Sequence, residues 1–179
     1  MSDYRYEKRG RRYFQRGVVT DPLEPHSQCP NRSPKAVSDA IKDIIEDKVV
    51  CELGCAEGDN MMFMSRYAKK VIGFEYNPDR GRVAEQRGLS VTYGDYFKDQ
   101  LPEADVYYFW PNDGCEDNDF LVGKISETCI VGADTGCREE PPCLMDLVSK
   151  YSGRLIEVEF NEGDWKRASG TFLLGIFHE

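Results

Sequence analysis

The sequence predicts an α/β protein: a three-layer sandwich around a seven-stranded, mostly parallel sheet with an antiparallel hairpin strand at its C-terminal end. Three observations predict it. Short β-prone runs alternate with helical periodicities from Pro34 to Gly153, the pattern of a parallel sheet with helices on both faces. The last two runs, "RLIEVEF" and "TFLLGIFHE", are separated only by the turn-rich "NEGDWKRASG", so they pair as a hairpin. The chain has 179 residues, 40% of them hydrophobic, which is one domain with a core of its own and no repeat.

Residues 1–33 read as an irregular arm, because "DPLEPHSQCPNRSP" is dense in turn formers. The α/β domain occupies residues 34–179. Ser33 is placed to N-cap a helix that opens on Pro34. Ala36, Val37, Ala40, Ile41, Ile44 and Ile45 give that helix one apolar face. "KVVCEL" is the first strand. Asp59 is the expected cap of a second helix over "NMMFMSRYAKK", whose methionines read as core packing. "VIGFEY" is the second strand. Asn77-Pro78 opens a third helix, which Gly88 stops. "LSVTYGD" and "DVYYFW" are strands, the latter strongly β-prone. A short helix covers "NDFLVGKIS", and "TCIVGAD" is the fifth strand. Pro141-Pro142 precede a helix through Leu144, Leu147, Val148 and Tyr151 that ends at Gly153.

Composition excludes several classes. No apolar run approaches the roughly 18 to 20 residues of a membrane span. The charged N-terminus "MSDYRYEKRGRRYFQRG" has no apolar stretch of the signal-peptide kind, so a cytoplasmic protein is expected. Seven cysteines, without a secretory signal, read as reduced thiols. His26 with Cys29, and Cys137 with Cys143, form no paired metal-ligand set, so no metal is expected. The net charge of −9 opposes a nucleic-acid platform. The charge is uneven: residues 1–16 sum to +4 and the remainder to −13. The basic arm interleaves Tyr4, Tyr6, Tyr13 and Phe14 with arginines, which suits a mobile terminus, a lid, or a segment that binds an anion or nucleic acid. Gln28 and Arg32, just before the first helix, are placed to help cover a ligand.

The chemistry centres on "VVCELGCAEGDN". In such a sheet, ligands bind beyond the carboxyl ends of the strands, at the point where strand order reverses. Gly54 and Gly58 permit close backbone approach there, and the helix that follows offers free N–H groups. The dinucleotide fingerprint spaces its glycines two and then three apart. Here Gly54, Ala56 and Gly58 fall two and two apart, and Asp59 would set a negative charge beside a pyrophosphate. The pattern acid-x-Gly-x-Ala-x-Gly, led by Glu52, suits instead a ligand with a cationic amino-acid end and no phosphate.

These residues resemble the first motif of the class I S-adenosylmethionine-dependent methyltransferases, with Ala56 in place of the middle glycine. The resemblance spans residues 34–179 as an architecture and implies a Rossmann-like fold with S-adenosyl-L-methionine as cofactor. It implies that Glu52, Gly54, Cys55, Ala56 and Gly58 line the methionine end. Glu75, ending "VIGFEY", would take the ribose hydroxyls, with Tyr76 beside it. Asp95 in "VTYGDYF" would accept from the adenine amino group, with Tyr96 at the ring edge. Cys51 and the thiol of Cys55 read as small buried groups.

The fourth element, "FWPND", lies nearest the transferred methyl in this scheme. It lacks the Asn/Asp-Pro-Pro-aromatic sequence of relatives that methylate exocyclic amines of bases, which further disfavours nucleic acid. Trp110 is a candidate wall for methyl or substrate. Asn112 and Asp113 are candidates to orient or deprotonate an acceptor. The aromatics of "DVYYFWP" hint at an apolar acceptor pocket. The function expected is methyl transfer to a small-molecule or protein acceptor. The alternatives are a non-catalytic S-adenosylmethionine-binding partner protein and a nucleotide-dependent oxidoreductase.

Overall fold

The computed structural model describes residues 34–110, 115–135, 140–160 and 170–179. The N-terminal arm, with Ser33, Gln28 and Arg32, lies outside them. The described strands are β1 (Val49–Leu53), β2 (Lys70–Glu75), β3 (Ser90–Tyr93), β4 (Val106–Phe109), β5 (Thr128–Asp134), β6 (Arg154–Phe160) and β7 (Gly170–Phe177). They form one seven-stranded sheet in the order β3-β2-β1-β4-β5-β7-β6. β1 pairs in parallel with β2 and β4, β2 with β3, and β4 with β5. β7 runs antiparallel to both β5 and β6. The expected hairpin therefore exists, and its second strand inserts between the first and the parallel block.

Strand alternation explains why helices cover both faces. Val50, Tyr108 and Ile130 point to one side and pack with Val37, Ile41, Ile45, Met61 and Met64. Cys51, Tyr107, Cys129 and Val131 point to the other and pack with Leu121, Val122, Leu144 and Leu147. All four residues of β4 are buried, as a central parallel strand requires. The strand order reverses between β1 and β4, so the crevice for a ligand opens at the carboxyl end of β1.

The helices are α1 (Pro34–Ala40), α2 (Lys42–Ile45), α3 (Asp59–Met64), α4 (Pro78–Gln86), α5 (Cys115–Lys124) and α6 (Glu140–Tyr151). Four differ from expectation. The first predicted helix is broken at Ile41 into α1 and α2, although Val37, Ile41 and Ile45 keep one fully buried stripe. α3 stops at Met64: the Ser65 hydroxyl donates to the Met61 carbonyl at 2.7 Å, and the next turn tightens as Tyr67 ties back to Asp39 at 2.7 Å. Gly58, in the left-handed region, occupies the N-cap of α3, and Asp59 is the first helical residue. Pro141 and Pro142 lie inside the first turn of α6, where a missing N–H costs nothing. α4 matches the expected caps: Asn77 accepts from the Asp79 N–H at 2.9 Å, and Gly88 adopts φ +81° just beyond its end.

Two exclusions need a finer statement. Among the described residues, no helix is long and apolar enough to cross a membrane, and no group of three potential metal ligands occurs. The expectation of reduced thiols fails at Cys143, which is disulfide-bonded. Cys51, Cys55 and Cys129 are free and buried.

Candidate functional site

The loop after β1 explains its own composition. Gly54, Ala56 and Gly58 all adopt positive φ, at +73°, +53° and +81°. Every second residue is thus left-handed, which accounts for small residues spaced two apart. Glycine takes this conformation freely; Ala56 does so at a cost of about 1–2 kcal/mol. The ends of the loop are pinned by Gly54 N–H donating to Phe74 O at 2.7 Å and Gly58 N–H to Cys55 O at 2.9 Å. Gly58 serves packing as well: a Cβ there would collide with the Leu89 side chain and lie 3.1 Å from the Ala84 Cβ. Close approach to α4 is thus a reason for glycine here beside the expected close approach to a ligand.

Glu75 ties this loop to β2. Its Oε2 accepts from the Ala56 N–H at 2.8 Å and its Oε1 from the Asn77 N–H at 2.7 Å. The carboxylate is only 7% exposed. Two of its roughly four lone-pair sites are used, which leaves capacity for hydroxyl donors. Glu52 is equally buried, and its Oε1 accepts from Asn60 Nδ2 at 2.7 Å. Cys55 turns inward: its sulfur sits against Gly73, where a Cβ would collide with it. Burial raises its thiol far above the ordinary range, helped by the charges of Glu52 and Glu75. Burial likewise pushes Cys51 up to about 12.

A set of ion pairs braces the loop from behind. Arg80 makes a two-pronged contact with Glu57 at 2.8 and 2.6 Å. Arg87, with a side chain 1% exposed, donates to Asp59 Oδ1 at 2.7 Å, to Glu57 O at 2.6 Å and to Met62 Sδ at 3.3 Å. Asp59 is thus neutralised by Arg87, and its charge is not the obstacle to a pyrophosphate that the sequence suggests. The obstacle is different: both guanidinium groups beside the loop are already engaged by carboxylates. What the loop and its neighbouring strand ends offer is a set of carboxylates, Glu52, Glu75 and Asp95. That set of acceptors fits a nucleoside with hydroxyls, an exocyclic amine and an ammonium group.

Asp95 follows β3 in a turn anchored at both ends. Gly94 N–H donates to Glu75 O at 3.1 Å, which places the turn beside β2. Asp95 Oδ1 accepts from the Phe97 N–H at 3.0 Å, and Lys98 Nζ lies 3.0 Å from Oδ2. Lys124 of α5 caps the turn through the carbonyls of Tyr96 at 2.9 Å and Asp99 at 3.2 Å. Tyr96 stacks obliquely on Phe97, which meets Phe120. Tyr76, just past Glu75, is 56% exposed.

The acceptor side is less complete. Asn112 and Asp113 lie outside the described residues. Trp110 packs over Gly132 and meets Phe172 edge-on, with ring centroids 5.7 Å apart. Tyr107, Tyr108, Phe109 and Trp110 are all buried, and the Tyr107 hydroxyl donates to Pro102 O at 2.7 Å. These aromatics build the core, so the hint of an apolar acceptor pocket in "DVYYFWP" is withdrawn. Sequence reasoning missed Asn60, Arg87 and Lys124. None belongs to a motif, and each acquires its place only when α3, α4 and α5 pack.

No family model matches the chain, and no curated protein matches it in sequence. Solved structures do match it in fold. The magnesium protoporphyrin IX methyltransferase of Synechocystis PCC 6803, solved with bound S-adenosylmethionine, is 11% identical with a TM-score of 0.62, over 99% of this chain and 92% of that one. A tRNA methyltransferase of Aquifex aeolicus is 13% identical with a TM-score of 0.62, over 86% and 72%. An S-adenosylmethionine-dependent methyltransferase of Thermotoga maritima is 14% identical with a TM-score of 0.58, over 82% and 89%. At such identities the likeness establishes the fold: this chain has the Rossmann-like class I methyltransferase fold.

Proposed function

We propose that this chain binds S-adenosylmethionine across the carboxyl ends of β1 and β2 and transfers its methyl group to a small-molecule or protein acceptor. One observation carries the reading: buried Glu75 receives the Ala56 N–H of the left-handed loop after β1, so a carboxylate with unused acceptor capacity stands against the loop that leads from the switch point of this fold. Glu75, with Tyr76 beside it, is assigned to the ribose hydroxyls. Glu52, Gly54, Ala56 and Gly58 are assigned to the methionine end, together with the backbone of Cys55. Asp95 and Tyr96 are assigned to adenine.

Bound there, S-adenosylmethionine supplies a methyl group activated by the sulfonium for in-line displacement. The chain's own work is to orient the acceptor and keep water out. Asn112 and Asp113, following β4, are assigned to orienting the acceptor or taking its proton. Trp110 supports that strand end by packing.

Thermal unfolding with S-adenosylmethionine, S-adenosylhomocysteine and NAD tests the cofactor. Each sulfur nucleoside at 100 times its dissociation constant is expected to stabilise the fold by about 2.7 kcal/mol. Stabilisation by NAD alone would overturn the assignment. Release of labelled methyl to an acceptor separates an enzyme from a non-catalytic binding protein.

A further inference from the structure

We propose that Lys124, in the last turn of α5, is a positioning residue for the nucleobase: through one peptide plane it aims the carboxylate of Asp95, and so sets the preference for a base that carries an exocyclic amine. The inference deepens the proposed function and rests on it. Two observations carry it. Lys124 Nζ donates to the carbonyl oxygens of Tyr96 at 2.9 Å and Asp99 at 3.2 Å. The N–H at the far side of the Tyr96 peptide, that of Phe97, donates to Asp95 Oδ1 at 3.0 Å.

The peptide joining Tyr96 to Phe97 is trans and planar, so its C=O and its N–H point in opposite directions. Drawing the carbonyl toward Lys124 turns the N–H toward Asp95, and that N–H holds the carboxylate. The backbone of Asp95 is fixed separately, by its own N–H donating to Asp99 Oδ2 at 2.8 Å and its carbonyl accepting from Asp99 N–H at 2.8 Å. Lys98 lies 3.0 Å from Oδ2, but its side chain is 54% exposed on a long stem and follows the carboxylate rather than directing it. Lys124 has a firmer base. Its helix is tied to α6 where Lys150 donates to Asp119 at 2.7 and 2.8 Å and Tyr151 Oη at 3.0 Å. One turn before Lys124, Phe120 packs on Phe97 with ring centroids 5.6 Å apart. α5 thus grips the turn at two points. The aim of the carboxylate matters because a hydrogen bond weakens steeply as its angle closes. An ionised carboxylate only accepts, so a well-aimed Asp95 favours a base with an N–H to give.

The test compares S-adenosylhomocysteine with its analogue bearing unsubstituted purine in place of adenine, by calorimetric titration of the full chain. The wild type is expected to prefer the amine-bearing ligand by about tenfold or more, the worth of a hydrogen bond to a charged group. Lys124→Met should cut that preference by about threefold or more and leave affinity for the purine analogue unchanged. Lys124→Arg, which keeps the cation, should retain the preference. If Lys124→Met weakens both ligands alike, Lys124 is a structural brace and the inference fails. It fails too if Lys124→Met keeps the full preference, or if both variants lose it equally. Equal binding of the two ligands by the wild type overturns it without any variant, together with the assignment of Asp95 to adenine, while the cofactor assignment stands. Wild type that binds neither ligand overturns the proposed function itself, and this inference with it.

Discussion

Glu75→Gln is the perturbation that separates the two tasks given to this carboxylate. In the unliganded protein the side chain braces the loop, by accepting from Ala56 N–H and Asn77 N–H. Glutamine keeps one oxygen and presents an NH2 group where the other stood. One backbone N–H then faces a donor. A lost bond to a buried carboxylate is worth about 1.5–3 kcal/mol. Taking about 2 kcal/mol, a chain of this size should lose about 4–8 °C in Tm. The second task is read from the ligand. If the remaining lone pairs of Glu75 hold the ribose, the variant binds S-adenosylhomocysteine at least about tenfold more weakly. At a concentration 100 times the wild-type dissociation constant, stabilisation then falls from about 2.7 to about 1.4 kcal/mol. Differential scanning calorimetry with and without ligand gives both numbers from one sample. An unchanged Tm without ligand would refute the brace. A lowered Tm with the full ligand-induced gain would refute the ribose contact and leave Glu75 purely structural. Glu75→Ala would confound the two, because it removes both backbone contacts as well as the ligand contact.

Three further outcomes are expected. Ala56→Gly should stabilise the fold by about 0.5–1 kcal/mol in urea titration, since the relief of a left-handed alanine exceeds the added chain entropy of glycine; a loss of stability would mean that Ala56 is not strained. Arg87→Met should destabilise by about 3–5 kcal/mol, because it leaves Asp59 buried without its cation, and Asp59→Asn in the same chain should restore part of the loss; a surface-like effect under about 0.5 kcal/mol would sink the brace. Cys51, Cys55 and Cys129, whose thiols are raised by burial, should resist a thiolate-directed reagent at pH 8 in the native state and react on unfolding; rapid native labelling at any of the three would contradict their placement.

Much of the fold is legible along the chain, because strands and helices announce themselves through local periodicity. Val37, Ile41 and Ile45 mark one helical stripe whether or not the helix is continuous at Ile41. The order of acids at strand ends, Glu52 then Glu75 then Asp95, is likewise a property of the sequence. Other features depend on competition that no local window contains. Asp59 has the chemistry of an N-cap, yet Arg87, 28 residues on, takes its carboxylate and Gly58 caps instead. "VYYFW" reads equally well as a pocket wall or a core strand. Burial between two helical layers makes it core, and burial is a property of neighbours.

The sequence by itself determined the α/β class, the seven strands, the hairpin at the end, and the alternation of small residues in the loop after β1, because each depends on contacts within a few residues or on residue type alone. Tertiary structure decided the rest. Packing of β7 between β5 and β6, of Gly58 against Ala84, of Cys55 against Gly73, and of Asn60 against Glu52 joins residues far apart in the chain or on opposite elements. It turned the Cys55 thiol into core, Asp59 into one half of an ion pair, and Glu75 into the brace of the loop it faces. Hydrogen-bond partners and dielectric surroundings are set by proximity in space, and the chain acquires that proximity only when the sheet closes.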